Sequence, residues 1–301
     1  MSKLKDWYAS YCNWVFSNPT TVAEFENMFT WGSMALCAKS GSLIWPEFLY
    51  STSNLVMLHN DITILKKPFA EGTVLKICLS VVEYCEVLFE VTAISRGRSL
   101  RLPVVYLIQI IKCLGRLYLI KKHNELLISN PPFQPLNREE IDEFRLRDKP
   151  RKLRTYLQDG GRATASAKVN STDQQKFLKT LYSAEIIYTM KPLAHLLAMY
   201  YYGEKSWVPW MISLCFDVTS NTMNCEVVTV VPTKRNILMQ RYIRLLLYFL
   251  RSPLYENIFL TSTMIELKNQ LFQIPIFGIV LQLLLNCIPK YRHYYFYLWS
   301  H

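Results

Sequence analysis

Apolar residues recur along most of this chain at three- and four-residue intervals, the spacing of one face of an α-helix. The pattern predicts helices near residues 4–16, 19–38, 46–66, 72–95 and 100–121. A second set follows near 174–202, 207–217, 234–251, 254–272 and 276–288. Pro19 after Asn18 and Pro46 after Trp45 suit the first helical turn, where the N–H that proline lacks would have no partner anyway. The one strand-like run, EVVTVV at 226–231, is too short and isolated to build a sheet. The fold class is therefore all-α: a helical bundle, membrane-embedded or membrane-associated.

The helical pattern breaks over residues 129–175, which are rich in proline, charge and small polar residues. So polar a segment buries too little surface to offset its ordering entropy, and most of it is expected to be a disordered aqueous loop. The chain then reads as three parts of one composite domain. They are a helical part over 1–128, the polar loop over 129–175, and a helical part over 176–301. No repeat of 20–50 residues is evident.

Three stretches compete as membrane segments. NQLFQIPIFGIVLQLLLNCIP, at 269–289, has no charge, but Pro275 and Gly278 interrupt it. What remains after Pro275 spans about 21 Å of helix, short of a hydrocarbon core of about 30 Å. It is expected to pack in a core or to insert shallowly. The second stretch, 102–120, has the right length but contains Lys112 and Arg116, four apart on one face. Those two would line a bundle interior or lie along headgroups. The third, 186–207, contains Lys191 and His195 and ends in Tyr200, Tyr201, Tyr202 and Trp207, residue types that favour a membrane interface.

Composition sharpens this reading. Charged residues make up 19 % and mean hydropathy is +0.09, which leans towards membrane contact. The formal net charge of +11 suits an anionic partner such as an acidic protein or a cytosolic leaflet. Nucleic acid is not expected, because no RNA-binding aromatic–basic signature, zinc-finger spacing or basic zipper appears. The eight cysteines include no CxxC pair and read as reduced packing residues. The opening MSKLKDWYASYCNWVF, broken by Asp6, does not read as a secretory signal.

Two charged stripes stand out. Glu83, Glu86 and Glu90 share one face of an otherwise apolar helix. Arg241, Arg244 and Arg251 form a comparable basic stripe. Both read either as solvated faces or as surfaces that meet each other or a partner. Ser51, Ser53, His59 and Asp61 gather in one short stretch, but Ser53 and His59 are six apart on one helix and cannot make a triad. His195 reads as a satisfied buried residue. No catalytic motif, metal site or cofactor site emerges, and no enzymatic activity or cofactor is expected.

Several strings carry a resemblance. LYSTSNLVMLHNDITILKK (49–67), LSVVEYCEVLFEVTA (79–93), KPLAHLLAMYYYGEKSWVPWMISLCFDVTS (191–220), LLLYFLRSPLYENI (245–258) and YFYLW (295–299) resemble the peroxin-16 family, in order. SWVPW, DVTS and LRSPLY together are the specific part. The resemblance implies a membrane protein of the endoplasmic reticulum and peroxisome with both termini facing the cytosol. It implies a receptor that recruits peroxin-3 and, through it, peroxin-19 with membrane-protein cargo. It places two spans near 102–120 and 186–207, and a basic membrane-targeting segment on 64–76 with Lys66, Lys67 and Lys76. Here Glu71 dilutes that segment, and Lys112, Arg116 and Lys191 depart from simple spans.

The leading expectation is a membrane-seated adaptor bound to lipid and to peroxin-3. The alternative is a membrane-bound lipid-handling enzyme or transporter, for which Lys112, Arg116, Lys191 and His195 would have to converge on a pocket between helices.

Overall fold

A computed structural model describes residues 2–39, 44–65, 71–123, 125–146, 171–203, 206–228 and 235–248. Every described element is helical. In chain order they are α1 (Ser2–Ser17), α2 (Pro19–Lys39), α3 (Ile44–Leu65), α4 (Glu71–Arg96), α5 (Arg98–His123), α6 (Arg138–Leu146), α7 (Ser171–Tyr202), α8 (Trp207–Val228) and α9 (Arg235–Tyr248). Pro19 opens α2 as expected. Gly203, at φ 82°, closes α7, and its N–H donates to the Met199 carbonyl at 3.0 Å. That is the left-handed ending glycine adopts without strain.

The helices fall into two compact units, which cut across the parts 1–128, 129–175 and 176–301. One unit takes residues 1–104 and 129–166; the other takes 105–128 and 167–301. In the first unit α2 packs on α3, and α1, α4 and α6 attach to that pair. Its core joins Val15, Val22, Leu58, Ile64 and Leu65 to Phe133, Leu136 and Ile141. Burying each such side chain stabilises the fold by about 1.5–3 kcal/mol. In the second unit α7 and α8 pair along their length and α9 packs on α8. Val105, Leu196 and Met199 form one of its apolar clusters.

Two sequence expectations change. The first part of 129–175 is an ordered strap ending in α6, with Phe133, Leu136 and Ile141 buried. Its polar composition hid this, because partners distant in sequence hold it. The Phe133 N–H donates to Ser80 Oγ at 2.9 Å and the Leu136 N–H to Asp61 Oδ2 at 3.2 Å. Its last residues, 171–175, open α7; 147–170 lie outside the described residues. The other change concerns the strand-like run at 226–231. Its first residues continue α8, which ends at Val228 and not near 217. Burial of Ser220, Asn221 and Asn224 carries that helix on past the last apolar repeat. The helices predicted at 254–272 and 276–288, and the uncharged stretch 269–289, lie outside the described residues.

Candidate functional site

Among the described residues, charge lies inside and much of the apolar surface lies outside. Twelve buried residues carry full charges: Glu26, Glu47, Asp61, Glu86, Glu90, Lys112, Arg116, Arg138, Glu185, Lys191, Asp217 and Arg241. Ionised side chains are almost never fully buried unless paired, so this many require an organised interior. On α5, Gln109, Lys112 and Arg116 are buried, with Lys112 only 4 % exposed. On the other arc Leu107 is 60 % exposed and Leu114 62 %, joined by Ile111 and Tyr118. Helix α8 repeats the pattern, with Ser213, Asp217, Ser220 and Asn224 inside and Trp207, Met211 and Val218 outside. Helix α9 does the same, burying Arg241 and exposing Met239, Ile243 and Leu246. In water this orientation leaves apolar surface unsatisfied. Against lipid or a partner it is the favourable one.

In the first unit one guanidinium joins four elements. Arg138 on α6 donates through Nε and Nη2 to Asp61 Oδ1 at 3.1 and 2.9 Å. Its Nη1 lies 2.8 Å from Glu26 Oε2 on α2. Asn60 Nδ2 donates to Glu26 Oε1 at 2.7 Å, and the Tyr11 hydroxyl of α1 donates to Asn60 Oδ1 at 2.8 Å. Two carboxylates thus share one cation. Burial pushes the Asp61 carboxyl up to about 6, against the opposing pull of Arg138 and the Leu136 N–H.

In the second unit two buried cations, Arg241 and Lys191, each take one carboxylate and also face a ring. Arg241 Nη1 and Nη2 donate to Glu185 Oε1 and Oε2 at 2.6 and 2.9 Å, a bidentate fork. The guanidinium lies 3.9 Å from the Tyr188 ring centroid. Burial alone would lower the pKa of Arg241, but the Glu185 carboxylate outweighs it and holds the group cationic. Lys191 Nζ donates to Asp217 Oδ2 and sits 5.1 Å from the Tyr248 ring centroid. Burial raises the Asp217 carboxyl, with Lys191 pulling the other way. Tyr248 in turn stacks on Trp210 at 6.0 Å.

The sequence-predicted residues distribute as follows. Glu86 and Glu90 are buried and Glu83 is half-buried, so the acidic stripe is not a solvated face. Glu90 accepts from Arg101 Nε and Nη2 at 2.9 and 2.6 Å. Arg241 is buried and Arg244 half-buried; Arg251 lies outside the described residues, as do Lys66 and Lys67. Lys76 is half-buried. His195 is buried, its Nδ1 3.0 Å from the Pro209 carbonyl oxygen and 2.8 Å from Ser213 Oγ. Lys112, Arg116 and Lys191 line one small cavity with Gln109, Tyr188 and Thr189; His195 does not line it. Ser53, His59 and Asp61 go separate ways, to Thr30, Tyr8 and Arg138.

Sequence reasoning missed Glu26, Arg138, Glu185 and Asp217 as members of these networks. Glu185 and Asp217 interrupt apolar runs, whereas Glu26 and Arg138 have polar neighbours and carry no such signal. Their partners lie up to 112 residues away, the separation of Glu26 and Arg138 (138 − 26), beyond the reach of local periodicity. Among the described residues, no group of three or more His, Cys, Asp or Glu could hold a metal ion. The one described helix long and apolar enough to cross a bilayer is Ser99–His123 of α5, containing the expected span 102–120. The other expected span, 186–207, runs along α7 and into α8.

Residues 9–292 match the family described as peroxisomal membrane protein (Pex16). A curated relative, peroxisome biogenesis factor 16 of Dictyostelium discoideum, is 28 % identical over 118 residues, 38 % of this chain. The match spans 30 % of that relative's length. No solved structure matches. An apolar exterior over an ion-paired interior is the surface chemistry a membrane protein needs. With the match over nearly the whole chain, it places this protein in the Pex16 family of peroxisomal membrane proteins.

Proposed function

We propose that the chain is a membrane-seated adaptor of peroxisomal membrane biogenesis. It recruits peroxin-3 and, through it, peroxin-19 with membrane-protein cargo, at the endoplasmic reticulum and the peroxisome, with its termini facing the cytosol. Lys66, Lys67 and Lys76 aid its delivery to the membrane. The observation that carries this reading is the inverted helices. Their charged arcs are used up in holding helices together, and their apolar arcs stay free to contact lipid and a partner. The acidic stripe contributes to docking through Glu83, whereas Glu86 and Glu90 support it from inside.

The test is to anchor the whole chain on the mitochondrial surface in cells and image tagged peroxin-3. Movement of peroxin-3 to mitochondria is the expected result. Peroxin-3 left in place, with the chain folded and correctly oriented, overturns direct recruitment.

The lipid-handling alternative draws on the cavity lined by Lys112, Arg116 and Lys191. Its free space is about that of a single water molecule, too little for a phospholipid headgroup. The adaptor is therefore the better-supported reading.

A further inference from the structure

Tryptophan is concentrated at the start of the chain. Trp7, Trp14, Trp31 and Trp45 are four of its seven, and they lie on three successive helices of the first unit. All four are exposed, Trp31 at 71 %. The outer surfaces of α1 and α2 meet where Trp14 packs 6.3 Å from Phe25, and Phe29 follows Phe25 one turn along α2. On the same helices Glu26, Ser33, Glu47, Ser51 and Ser53 are buried alongside the apolar core residues Val15, Val22, Leu58, Ile64 and Leu65. Large aromatic side chains this exposed on three successive helices suit a lipid or protein cover.

Residue type and charge decide between lipid and protein as the cover. An indole has an apolar body and one polar N–H, which suits the headgroup boundary of a bilayer. Lys3 and Lys5 are exposed beside Leu4 and Trp7, opposed only by Asp6 in that turn. Basic residues flanking an exposed aromatic stripe are the arrangement of a helix lying in the membrane plane on an anionic leaflet. None of α1–α3 is the helix with the length and apolarity of a span.

We infer that α1–α3 form a non-spanning, in-plane membrane contact. Trp7, Trp14, Trp31 and Trp45 sit at the headgroup level of an anionic phospholipid leaflet. This rests on the chain's residence in a membrane and not on its recruitment of any protein.

The test uses the full chain in liposomes of phosphatidylcholine with one-fifth phosphatidylserine. Tryptophan emission is quenched either by phosphatidylcholine brominated near the headgroup end of its acyl chains or by aqueous acrylamide. The comparison chain carries Trp7→Phe, Trp14→Phe, Trp31→Phe and Trp45→Phe. The expected result is strong quenching of the unaltered chain by brominated lipid, with more than half of the quenchable emission absent from the fourfold variant. If that variant loses helicity, Trp31→Phe and Trp45→Phe made singly allow the same comparison.

Emission from these four residues that yields to acrylamide and not to brominated lipid overturns the inference. Shielding from both quenchers also overturns it and points to a protein cover such as a second copy of the chain. Loss of the chain from liposomes in an alkaline wash is a different failure, because it removes membrane residence itself.

Discussion

Two buried clusters, one in each unit, solve the same problem, a charge taken out of water, in opposite ways. In the first, Arg138 is shared between Glu26 and Asp61, with Asn60 and Tyr11 extending the network. In the second, Arg241 and Lys191 each own a carboxylate and an aromatic face. Burial drives Asp61 up to about 6 against the pull of Arg138, and the second carboxylate, Glu26, adds to the rise, so Asp61 becomes the group that can give way. Private pairing holds Arg241 in its charged state. The difference teaches that burial alone does not fix the cost of a charge. The number of alternatives left to it when a partner is lost matters as much.

The largest expected effect comes from breaking a private pair. Glu185→Ala strands a buried guanidinium, because the Tyr188 ring and the Ile128 carbonyl at 3.4 Å are weak substitutes for a bidentate carboxylate. A loss of about 3–5 kcal/mol is expected in denaturant melts of the detergent-solubilised chain. Adding Arg241→Met should recover part of it, since no unpaired charge then remains. A loss under about 1 kcal/mol from Glu185→Ala would mean the pair does not hold α7 to α9.

The shared cluster should respond quite differently. An Asp begins at 3.8 in the unfolded chain and stands at about 6 in the fold. Between those values the folded state keeps a proton that the unfolded state releases. Stability from this group is therefore full below about pH 4, falls as pH rises to 6, and is flat above that. The swing is roughly 3 kcal/mol. Asp61→Asn cannot titrate and keeps an acceptor for Arg138, whose charge Glu26 still meets, but its amide nitrogen cannot accept from the Leu136 N–H. The variant should be less stable than the unaltered chain at pH 4, by about 1–3 kcal/mol, and lack that slope. Melts at pH 4, 5, 6 and 7 check it; an unchanged slope would assign the pH dependence elsewhere.

The contrast also marks what the sequence makes legible. Helix positions follow from periodicity because core and surface alternate every few residues, and the predicted 19–38 and 100–121 differ from α2 and α5 by no more than two residues at either end. Lys112, Arg116 and Lys191 are conspicuous because each interrupts an apolar run. Asp61 and Arg138 are not, because each sits among other polar residues and its meaning lies in a partner 77 positions away. Helix α6 escapes notice for a similar reason: Ile141, Phe144 and Leu146 are few among its charges, and the ion pairs that seat Arg138 are long-range. The inverted arcs are half legible. Periodicity shows that each helix has two faces but not which one turns inward when both lipid and a polar core are available.

The smallest effect tests how far the shared network extends. Tyr11→Phe removes the hydroxyl that donates to Asn60 Oδ1 at 2.8 Å and keeps the ring stacked 6.0 Å from Trp7. Asn60 retains its own donation to Glu26, so only one acceptor, on a buried side chain, loses a partner. The expected loss is about 1–3 kcal/mol. Asn60→Ala should cost more, because it also strips a donor from Glu26. Once Asn60 is gone, the Tyr11 hydroxyl has no carbonyl to bond and its removal should cost almost nothing further. The double variant should therefore lose less than the sum of the two single losses, by about the value of the Tyr11 bond. If the two losses simply add, Tyr11 stabilises α1 through its ring alone, and the shared cluster ends at Asn60.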